Sequence, residues 1–254
     1  MQPDEYGRFT ERLRERVSRD KRAIGLVALG SMSGEPPAAD DWSDHDFFVV
    51  SRPGEQEGLR NDLSWLPDAE EIAFTYRDTP HGVKVFYRSA HLLEFAVFDL
   101  DEMIRHAKIN RARTLLDRGG VDEAVQQLRH LHGERRDPCW HSGEFLTTLL
   151  VASHRARRGE LLSSRKLLQI ATIHLATLVA LAFRADRDDA LDSLDPVRRF
   201  EQAFPSLGHE LNAALDRPPF EAARLLLGIA LRELPPKIND FPADAARAIE
   251  RHLR

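Results

Sequence analysis

Two aspartates that are one residue apart, Asp44 and Asp46, lead into an apolar run of strand character. Side chains alternate faces along a strand, so both carboxylates would project from the same side of a sheet. Two like charges held side by side are unfavourable without a cation, and hard divalent ions prefer such oxygen ligands. Upstream, the apolar run Ile24–Leu29 stops at Gly30 and Ser31, whose small side chains and backbone N–H groups suit a phosphate. The spacing predicts a magnesium–nucleotide site.

A third acid, Glu94, lies within the apolar segment Leu92–Phe98. Two metal ions demand more oxygen ligands than one aspartate pair provides, so a third carboxylate would complete a two-metal site. Burying an unpaired charge is strongly unfavourable, and an acid inside an apolar strand therefore needs a reason. The alternative is that Glu94 points to solvent from an edge strand. Because the aspartate pair lies upstream, we favour Glu94 as the third ligand.

The chain changes from strand patterns to helical periodicity near residue 100. A first helix is predicted before residue 20, and a short one over Glu57–Trp65. The predicted strands are Ile24–Leu29, Asp44–Val50, Glu71–Tyr76, Val83–Arg88 and Leu92–Phe98. The later predicted helices are Asp101–Asp117, Asp122–His132, Gly143–Arg157, Glu160–Arg184, Pro196–Ala203, Phe220–Leu231 and Ala243–Leu253. These patterns predict an α+β fold, with a mixed sheet and flanking helices in residues 1–102 and an all-helical domain in residues 103–254.

Composition limits the classes of protein to consider. The 254 residues carry a net charge of −5, which disfavours broad attraction to nucleic acid. Cys139 is the only cysteine, so no intramolecular disulfide is expected and a reducing, cytoplasmic setting is favoured. The apolar stretch Leu167–Phe183 includes polar residues and is shorter than a typical membrane span, so we expect a buried helix and no membrane association.

Together these features resemble the nucleotidyltransferase superfamily that includes polymerase beta. Its pattern is an apolar strand ending in Gly-Ser or Gly-Gly, a short spacer, an acid-x-acid pair entering a strand, and a third acid on a later strand. Gly30, Ser31, Asp44, Asp46 and Glu94 fall on those positions in the right order. The form Ser-Asp-x-Asp is most similar to bacterial aminoglycoside and lincosamide nucleotidyltransferases. The resemblance covers roughly residues 20 to 105.

The resemblance implies a polymerase beta-like catalytic domain that uses two Mg²⁺ ions and ATP or another nucleoside triphosphate. Asp44 and Asp46 would hold Mg²⁺, and Glu94 would join at the second ion and act as general base. Gly30 and Ser31 would meet the β- and γ-phosphates through backbone N–H and hydroxyl groups. The helical domain would cover the nucleotide and the substrate.

Further nucleotide contacts are implied for three other residues. Ser43 belongs to the Ser-Asp-x-Asp form, and Arg165 or Lys166 would reach the triphosphate from the helical domain. The alternative for the two cations is a solvated helix face, which charge runs usually are. His45 departs from the family pattern, in which an apolar residue is common between the aspartates. Its side chain is expected to face away from the metals.

The expected function is transfer of a nucleoside monophosphate, AMP from ATP, to a hydroxyl of a small molecule, with release of pyrophosphate. An antibiotic of the aminoglycoside or lincosamide kind is the acceptor that the resemblance suggests. Two alternatives stay open: a non-catalytic nucleotide-sensing regulator or antitoxin, and an enzyme that modifies a protein or tRNA. The sequence indicates neither the preferred base nor the oligomeric state.

Overall fold

The protein forms two compact units of different architecture. The structure, a computed structural model, describes residues 3–36, 38–130, 137–192 and 194–254. Its N-terminal unit, Met1–Gly133, contains a mixed sheet with flanking helices. Its C-terminal unit, Glu134–Arg254, has only helices as regular elements in its described residues. The predicted α+β class is therefore confirmed, while the predicted boundary at residues 102/103 falls inside the N-terminal unit.

The N-terminal unit begins with a helix and then builds a six-stranded sheet. Its elements are α1 Pro3–Arg19, β1 Ala23–Leu29, β2 His45–Ser51, α2 Gln56–Asn61, β3 Ile72–Arg77, β4 Gly82–Tyr87, β5 Leu92–Phe98, α3 Leu100–His106, β6 Ala112–Asp117 and α4 Val121–His130. The strand order is β3-β4-β5-β2-β1-β6. Strands β2 and β5 run parallel, and the other neighbouring pairs are antiparallel. Strands β3, β4 and β5 thus form two consecutive antiparallel hairpins.

One face of the sheet is covered by α1. The helix buries Tyr6, Phe9, Leu13 and Val17, whose spacing forms a single apolar stripe. This stripe packs in one cluster with inward-facing sheet residues such as Phe47. The packing explains why residues 3–19 form an amphipathic helix and why Phe47 and Val49 of β2 are apolar on this face.

The opposite face of the sheet is covered by α3 and α4. Val27, Phe48 and Phe98 on this face form a second buried cluster with Met103 of α3 and Val125 of α4. The central strands are therefore buried on both sides, which accounts for their nearly continuous apolar character.

The sheet contains one strand more than the sequence patterns predict. The predicted helix Asp101–Asp117 is wrong beyond His106, where α3 ends, because the following segment forms β6. Strand β6 pairs antiparallel with β1 along its length. Without β6, the backbone groups of β1 would form an open edge, and this pairing outweighs the helical preference of the Ala, Leu and Arg residues.

The C-terminal unit is built from six α-helices in its described residues. They are α5 Pro138–Arg157, α6 Leu161–Ala182, α7 Phe200–Ala203, α8 Pro205–Leu215, α9 Pro219–Glu233 and α10 Ala243–His252. The predicted helices in this region correspond to all of these except α8, and the predicted helix Pro196–Ala203 is reduced to one turn. The sequence pattern indicates a break at Pro205, but this residue occupies the first turn of α8, where a proline needs no N–H partner. Residues 131 and 132 of the predicted helix Asp122–His132 lie outside the described residues.

Helix α6 is the one helix of the described residues that is long and apolar enough to cross a membrane. Its Leu168, Leu175 and Leu178 belong to the buried core of the C-terminal unit, together with Phe145 of α5 and Leu226 of α9. The apolar character of α6 is therefore accounted for by packing inside this unit, as the sequence predicts.

The packing of α4 against the sheet beside β6 can be tested through Gly25 of β1. A Cβ atom at this position would lie 2.5 Å from Cγ2 of Val121 at the start of α4. Gly25→Ala should lower the free energy of unfolding by about 1–3 kcal/mol because the methyl group overpacks this contact. Gly7→Ala is the control, since no atom lies within 4 Å of the added methyl, and it should raise stability by up to about 1 kcal/mol. Urea unfolding measures the stability of both variants. A Gly25→Ala variant as stable as the unaltered protein would contradict the contact between β1 and α4.

Candidate active site

Asp46 and Glu94 come together on one face of the sheet. Asp46 of β2 and Glu94 of β5 are partners in the parallel register. Neighbouring strands are about 4.8 Å apart, and partners in register project to the same face. Both residues are half-buried. Asp44, also half-buried, lies just before β2, which begins at His45 rather than at the predicted Asp44.

The turn after β1 lies directly beside Asp46. Gly30 begins a 3₁₀ turn, Gly30–Ser33, with φ of +52°, a conformation that favours glycine. A Cβ atom at Gly30 would lie 3.6 Å from Oδ2 of Asp46. The Gly30 N–H donates to the carbonyl of Arg111, just before β6, at 3.0 Å. This particular N–H is therefore used inside the protein, in contrast to its expected role with phosphate.

Tyr6 of α1 connects this turn to the segment before β2. Its hydroxyl donates to the carbonyl of Asp44 at 2.9 Å and lies 3.4 Å from Oγ of Ser31. Burial, together with the nearby charges of Asp46 and Asp44, raises the pKa of Tyr6 to about 12. The phenol therefore stays protonated and can hold the two chain segments in place.

Ser43 has a structural partner in the loop before β2. Its hydroxyl donates to Oδ1 of Asp40 at 2.9 Å and accepts from the Asp40 N–H at 3.0 Å. These bonds close the loop that delivers Asp44 to the site. The predicted nucleotide contact of Ser43 would have to coexist with this loop closure.

Glu94 is held by a lysine on the neighbouring strand. Lys84 of β4 is the register partner of Glu94, and its Nζ lies 2.9 Å from Oε1 of Glu94. A second carboxylate, Asp78, lies 3.8 Å from the same ammonium. Hydrogen bonding to Glu94 raises the pKa of Lys84 above its usual value, so the lysine stays charged. Lys84 therefore orients the carboxylate that the sequence assigns as third metal ligand and general base.

The donor set fits one mode of Mg²⁺ binding. Mg²⁺ is commonly held by one or two carboxylates, with phosphate oxygens and water completing its six ligands. Asp44 and Asp46, beside the Gly30 turn, offer such a pair of carboxylates. In the described part of the chain, no three His, Cys, Asp or Glu side chains converge closely enough to bind a metal ion. Glu94 is bonded to Lys84 instead, so the expected three-carboxylate set for two ions is not assembled.

The remaining predicted nucleotide contacts, Arg165 and Lys166, lie in the first turns of α6 in the C-terminal unit. Both side chains are exposed. The preceding helix α5 ends at Arg157, and Gly159 with φ of +77° separates the two helices. The contact of these two cations with a triphosphate stays a prediction.

His45 points to the opposite face of the sheet, as predicted, and is completely buried there. Its Nδ1 lies 2.8 Å from Nε2 of His91, and its Nε2 lies 3.1 Å from Oγ1 of Thr10. The ring stacks on Tyr6 at a centroid distance of 3.8 Å. Because Thr10 donates its hydroxyl proton to the carbonyl of Tyr6, its oxygen can accept from His45. Two neutral imidazoles satisfy these contacts, with His91 donating to His45.

This buried pair resists protonation. Burial and the neighbouring His91 lower the pKa of His45 to about 3. Burial lowers the pKa of His91 to about 4. Both imidazoles thus remain neutral in the folded protein at pH values where a free histidine is charged. The pair lies directly beneath the segment that carries Asp44 and Asp46.

Three residues that support the site were not identified from the sequence as its supports: Tyr6, Lys84 and His91. The ion pair of Lys84 could have been predicted, because a cation between two valines of one predicted strand can face an acid on the next strand, here Glu94. Tyr6 and His91 gave no comparable signal, since their partners lie 38 and 46 positions away along the chain.

No protein-family model matches this chain, and no curated protein matches it in sequence. Among solved structures, it is similar to an aminoglycoside 6-adenyltransferase from Bacillus subtilis, with a TM-score of 0.40 and 10% identity. The match covers 96% of this chain and 95% of that chain. A likeness at this level does not identify an activity, so the function must be inferred from the geometry of the site.

The neutral histidine pair predicts how stability depends on pH. Above the unfolded-state pKa of about 6.5 neither state binds the protons, and stability should be flat. Below it the unfolded chain binds protons that the folded protein does not, so stability should fall towards pH 4. The slope is at most about 1.4 kcal/mol per pH unit for each imidazole. His91→Gln should reduce this slope in urea unfolding, whereas the exposed His209→Gln should retain it. If His91→Gln leaves the pH dependence of the unfolding free energy unchanged, the buried histidine pair is not the cause of that dependence.

Tyr6→Phe tests the connection between α1 and the site. The variant keeps the ring but loses the hydrogen bond to the Asp44 carbonyl, so it should lose about 1 kcal/mol of stability. Binding of Mg²⁺·ATP, measured by calorimetry, should weaken because the segment before β2 is no longer held. Unaltered binding together with lowered stability would show that Tyr6 supports the fold alone.

Proposed function

We propose that this chain is a nucleotidyltransferase that moves a nucleoside monophosphate, AMP from ATP, onto a hydroxyl of a small molecule and releases pyrophosphate. The register pairing of Asp46 with Glu94, beside the Gly30 turn, supports this proposal most strongly. It provides one carboxylate suited to a Mg²⁺–triphosphate and another suited to accept a proton. An antibiotic of the aminoglycoside or lincosamide kind is the acceptor class suggested by the sequence resemblance.

In the proposed reaction, Asp44 and Asp46 would hold Mg²⁺ together with the triphosphate. When bound, the ion would neutralise phosphate charge that develops during an in-line displacement. Glu94 accepts the proton of the acceptor hydroxyl while the oxygen of that hydroxyl attacks the α-phosphorus. The bond from that phosphorus to the bridging oxygen breaks, and pyrophosphate leaves. Lys84 keeps the Glu94 carboxylate oriented towards the shared face.

The other nucleotide contacts belong to the proposal as well. Ser31 and Ser43 would offer hydroxyl groups to the phosphates, and Gly30 would allow their close approach. Arg165 and Lys166 would add positive charge near the triphosphate. A second Mg²⁺ at Glu94 would require Lys84 to release this carboxylate, so the proposal rests on one ion.

A non-catalytic nucleotide sensor is the second candidate, and one observation favours it. The ion pair of Lys84 with Glu94 and the internal bond of the Gly30 N–H satisfy groups that catalysis was expected to use. A sensor would need only the binding of Mg²⁺·nucleotide by Asp44 and Asp46. The two candidates therefore differ in the role of Glu94.

Asp46→Asn and Glu94→Gln separate these roles. Asp46→Asn should weaken Mg²⁺·ATP binding about tenfold or more, because a charged ligand is lost. Glu94→Gln should bind Mg²⁺·ATP normally but slow pyrophosphate release about 100-fold or more, because the base is lost. Calorimetry measures binding, and a screen of hydroxyl acceptors with pyrophosphate detection measures transfer. The exposed Asp216→Asn is the control for the same chemical change and should match the unaltered protein in both assays.

Two outcomes would count against the proposal. If Asp46→Asn binds Mg²⁺·ATP as tightly as the unaltered protein, Asp46 does not take part in binding the nucleotide. If the protein binds Mg²⁺·ATP but releases no pyrophosphate with any acceptor, and Glu94→Gln leaves that binding unchanged, the sensor is favoured. If radiolabelled nucleotide is instead transferred from ATP to a protein or to tRNA, the proposed reaction type stands but the small-molecule acceptor is wrong.

A further inference from the structure

Three aromatic side chains on β3 and β4 form an exposed apolar surface. Phe74, Tyr76 and Phe86 are 58%, 41% and 38% exposed. Their rings contact one another, with centroids 5.7 Å apart for Phe74–Tyr76 and 6.2 Å apart for Phe74–Phe86. We call this surface the aromatic platform. A cluster of contiguous exposed aromatic rings is unusual for a protein surface and is typical of a binding site.

The platform lies on the same sheet face as the candidate catalytic carboxylate. Phe74 is the register partner of Phe86, and Tyr76 is the register partner of Lys84. Lys84 is in turn the partner of Glu94. Partners in register project to one face, so an unbroken row leads from Glu94 to the platform. With about 4.8 Å between strands, Tyr76 lies about 10 Å from Glu94 along the sheet.

Folding does not account for these aromatic residues. Strand β3 is the edge of the sheet, and every residue from Ala73 to Arg77 is exposed. The other face of β3 carries Thr75 and Arg77, which suit an exposed edge. The large apolar rings are confined to the face that holds Glu94, although each of them stays more than one third exposed there. This one-sided distribution indicates a ligand on the face of the site.

The strand order gives the platform a place in the proposed reaction. Along β3-β4-β5-β2-β1, the platform lies on one side of Glu94 and Asp46, and the Gly30 turn lies on the other. A triphosphate bound at Asp46 and the Gly30 turn leaves the platform on the side of the attacking hydroxyl. We propose that the platform is the acceptor subsite and binds an uncharged, hydroxyl-bearing molecule through an aromatic or flat apolar ring. This inference rests on the proposed function, and it replaces the aminoglycoside-like acceptor suggested by the sequence resemblance, which is a polycation, with an uncharged one.

The local charge agrees with an uncharged acceptor. The Lys84 ammonium is paired with Glu94 and lies near Asp78, so these three groups together carry a single excess negative charge. A polycation would require several unpaired carboxylates next to the rings. The platform instead offers ring faces for stacking and one carboxylate for a hydroxyl.

A pair of matched probes tests the subsite with the full-length protein. The first is 4-methylumbelliferyl β-D-glucoside, which joins an aromatic ring to a hydroxylated sugar, and the second is methyl β-D-glucoside, which lacks the ring. Fluorescence titration without nucleotide or metal measures binding of the first, and competition measures the second. The aryl glucoside should bind about tenfold more tightly or better, because only it can stack on the platform. Equal affinity for the two probes, or no binding of the aryl glucoside, would overturn the proposal.

Variants then assign the binding to the platform. The combined variant Phe74→Ser, Tyr76→Ser and Phe86→Thr should lose the preference for the aryl probe. Trp140→Ser removes an exposed aromatic residue of the C-terminal unit and should keep that preference. Circular dichroism and urea unfolding establish that the combined variant is folded; if it is not, Tyr76→Ser alone should still weaken aryl binding. Undiminished aryl binding by a folded variant would overturn the proposal.

Two further measurements distinguish an acceptor subsite from a self-association surface and from a part of the nucleotide site. If sedimentation shows a dimer that the combined variant converts to a monomer, the platform is a self-association surface and the proposal is overturned. Mg²⁺·ATP binding should be unchanged in the combined variant, which supports a subsite separate from the nucleotide. A wild-type protein that binds the aryl probe but not Mg²⁺·ATP would overturn the proposed function while retaining the platform as a ligand site.

Discussion

The parallel register between β2 and β5 is the constraint on which the candidate site depends. It aligns Asp46 with Glu94, and the antiparallel register of β4 then aligns Lys84 with Glu94. A shift of either strand by one residue would turn its polar side chain into the core formed with α1. The fully buried Phe47 and Leu93 on that side make such a shift strongly unfavourable. The hydrophobic core therefore fixes the geometry of the polar groups.

The two faces of the sheet divide the work of holding this geometry. The α1 face holds a large apolar core and the buried His45–His91 pair, whose hydrogen bond joins the two rings away from water. Tyr6 extends from this packed face to the carbonyl of Asp44, so the helix stabilises the approach to β2. The opposite face carries the carboxylates at one end of its strands and the aromatic platform near the edge. The candidate site and the aromatic platform thus share a face whose backbone is fixed from the other side.

Much of this arrangement follows from local sequence patterns. The first five strands concentrate apolar residues strongly, so their existence was predictable, and the short polar turns that join β3, β4 and β5 favour antiparallel pairing of these three. Asp46 and Glu94 were identified because acids are unusual in such strands. Strand β6 was not predicted, because its pairing with β1 depends on a distant edge rather than on its own residues. The supporting contacts of Lys84 and Tyr6 depend on the folded chain and could not be read from local patterns. The ion pair of Lys84 with Glu94 in turn limits the proposed site to one metal ion.

The hydrogen bond from Gly30 to Arg111 has a consequence for how the site is assembled during folding. The turn beside Asp46 is completed by the carbonyl of Arg111, which lies just before β6 and about eighty positions further along the chain. Formation of the turn therefore requires a contact of large sequence separation. During synthesis, β1 to β5 can pair before this last strand leaves the ribosome, but the turn then lacks its carbonyl partner. A chain that ends near residue 102 would retain Asp44 and Asp46 but leave β1 as an unpaired edge strand, which can pair with other chains. Completion of the site is thereby linked to protection against aggregation.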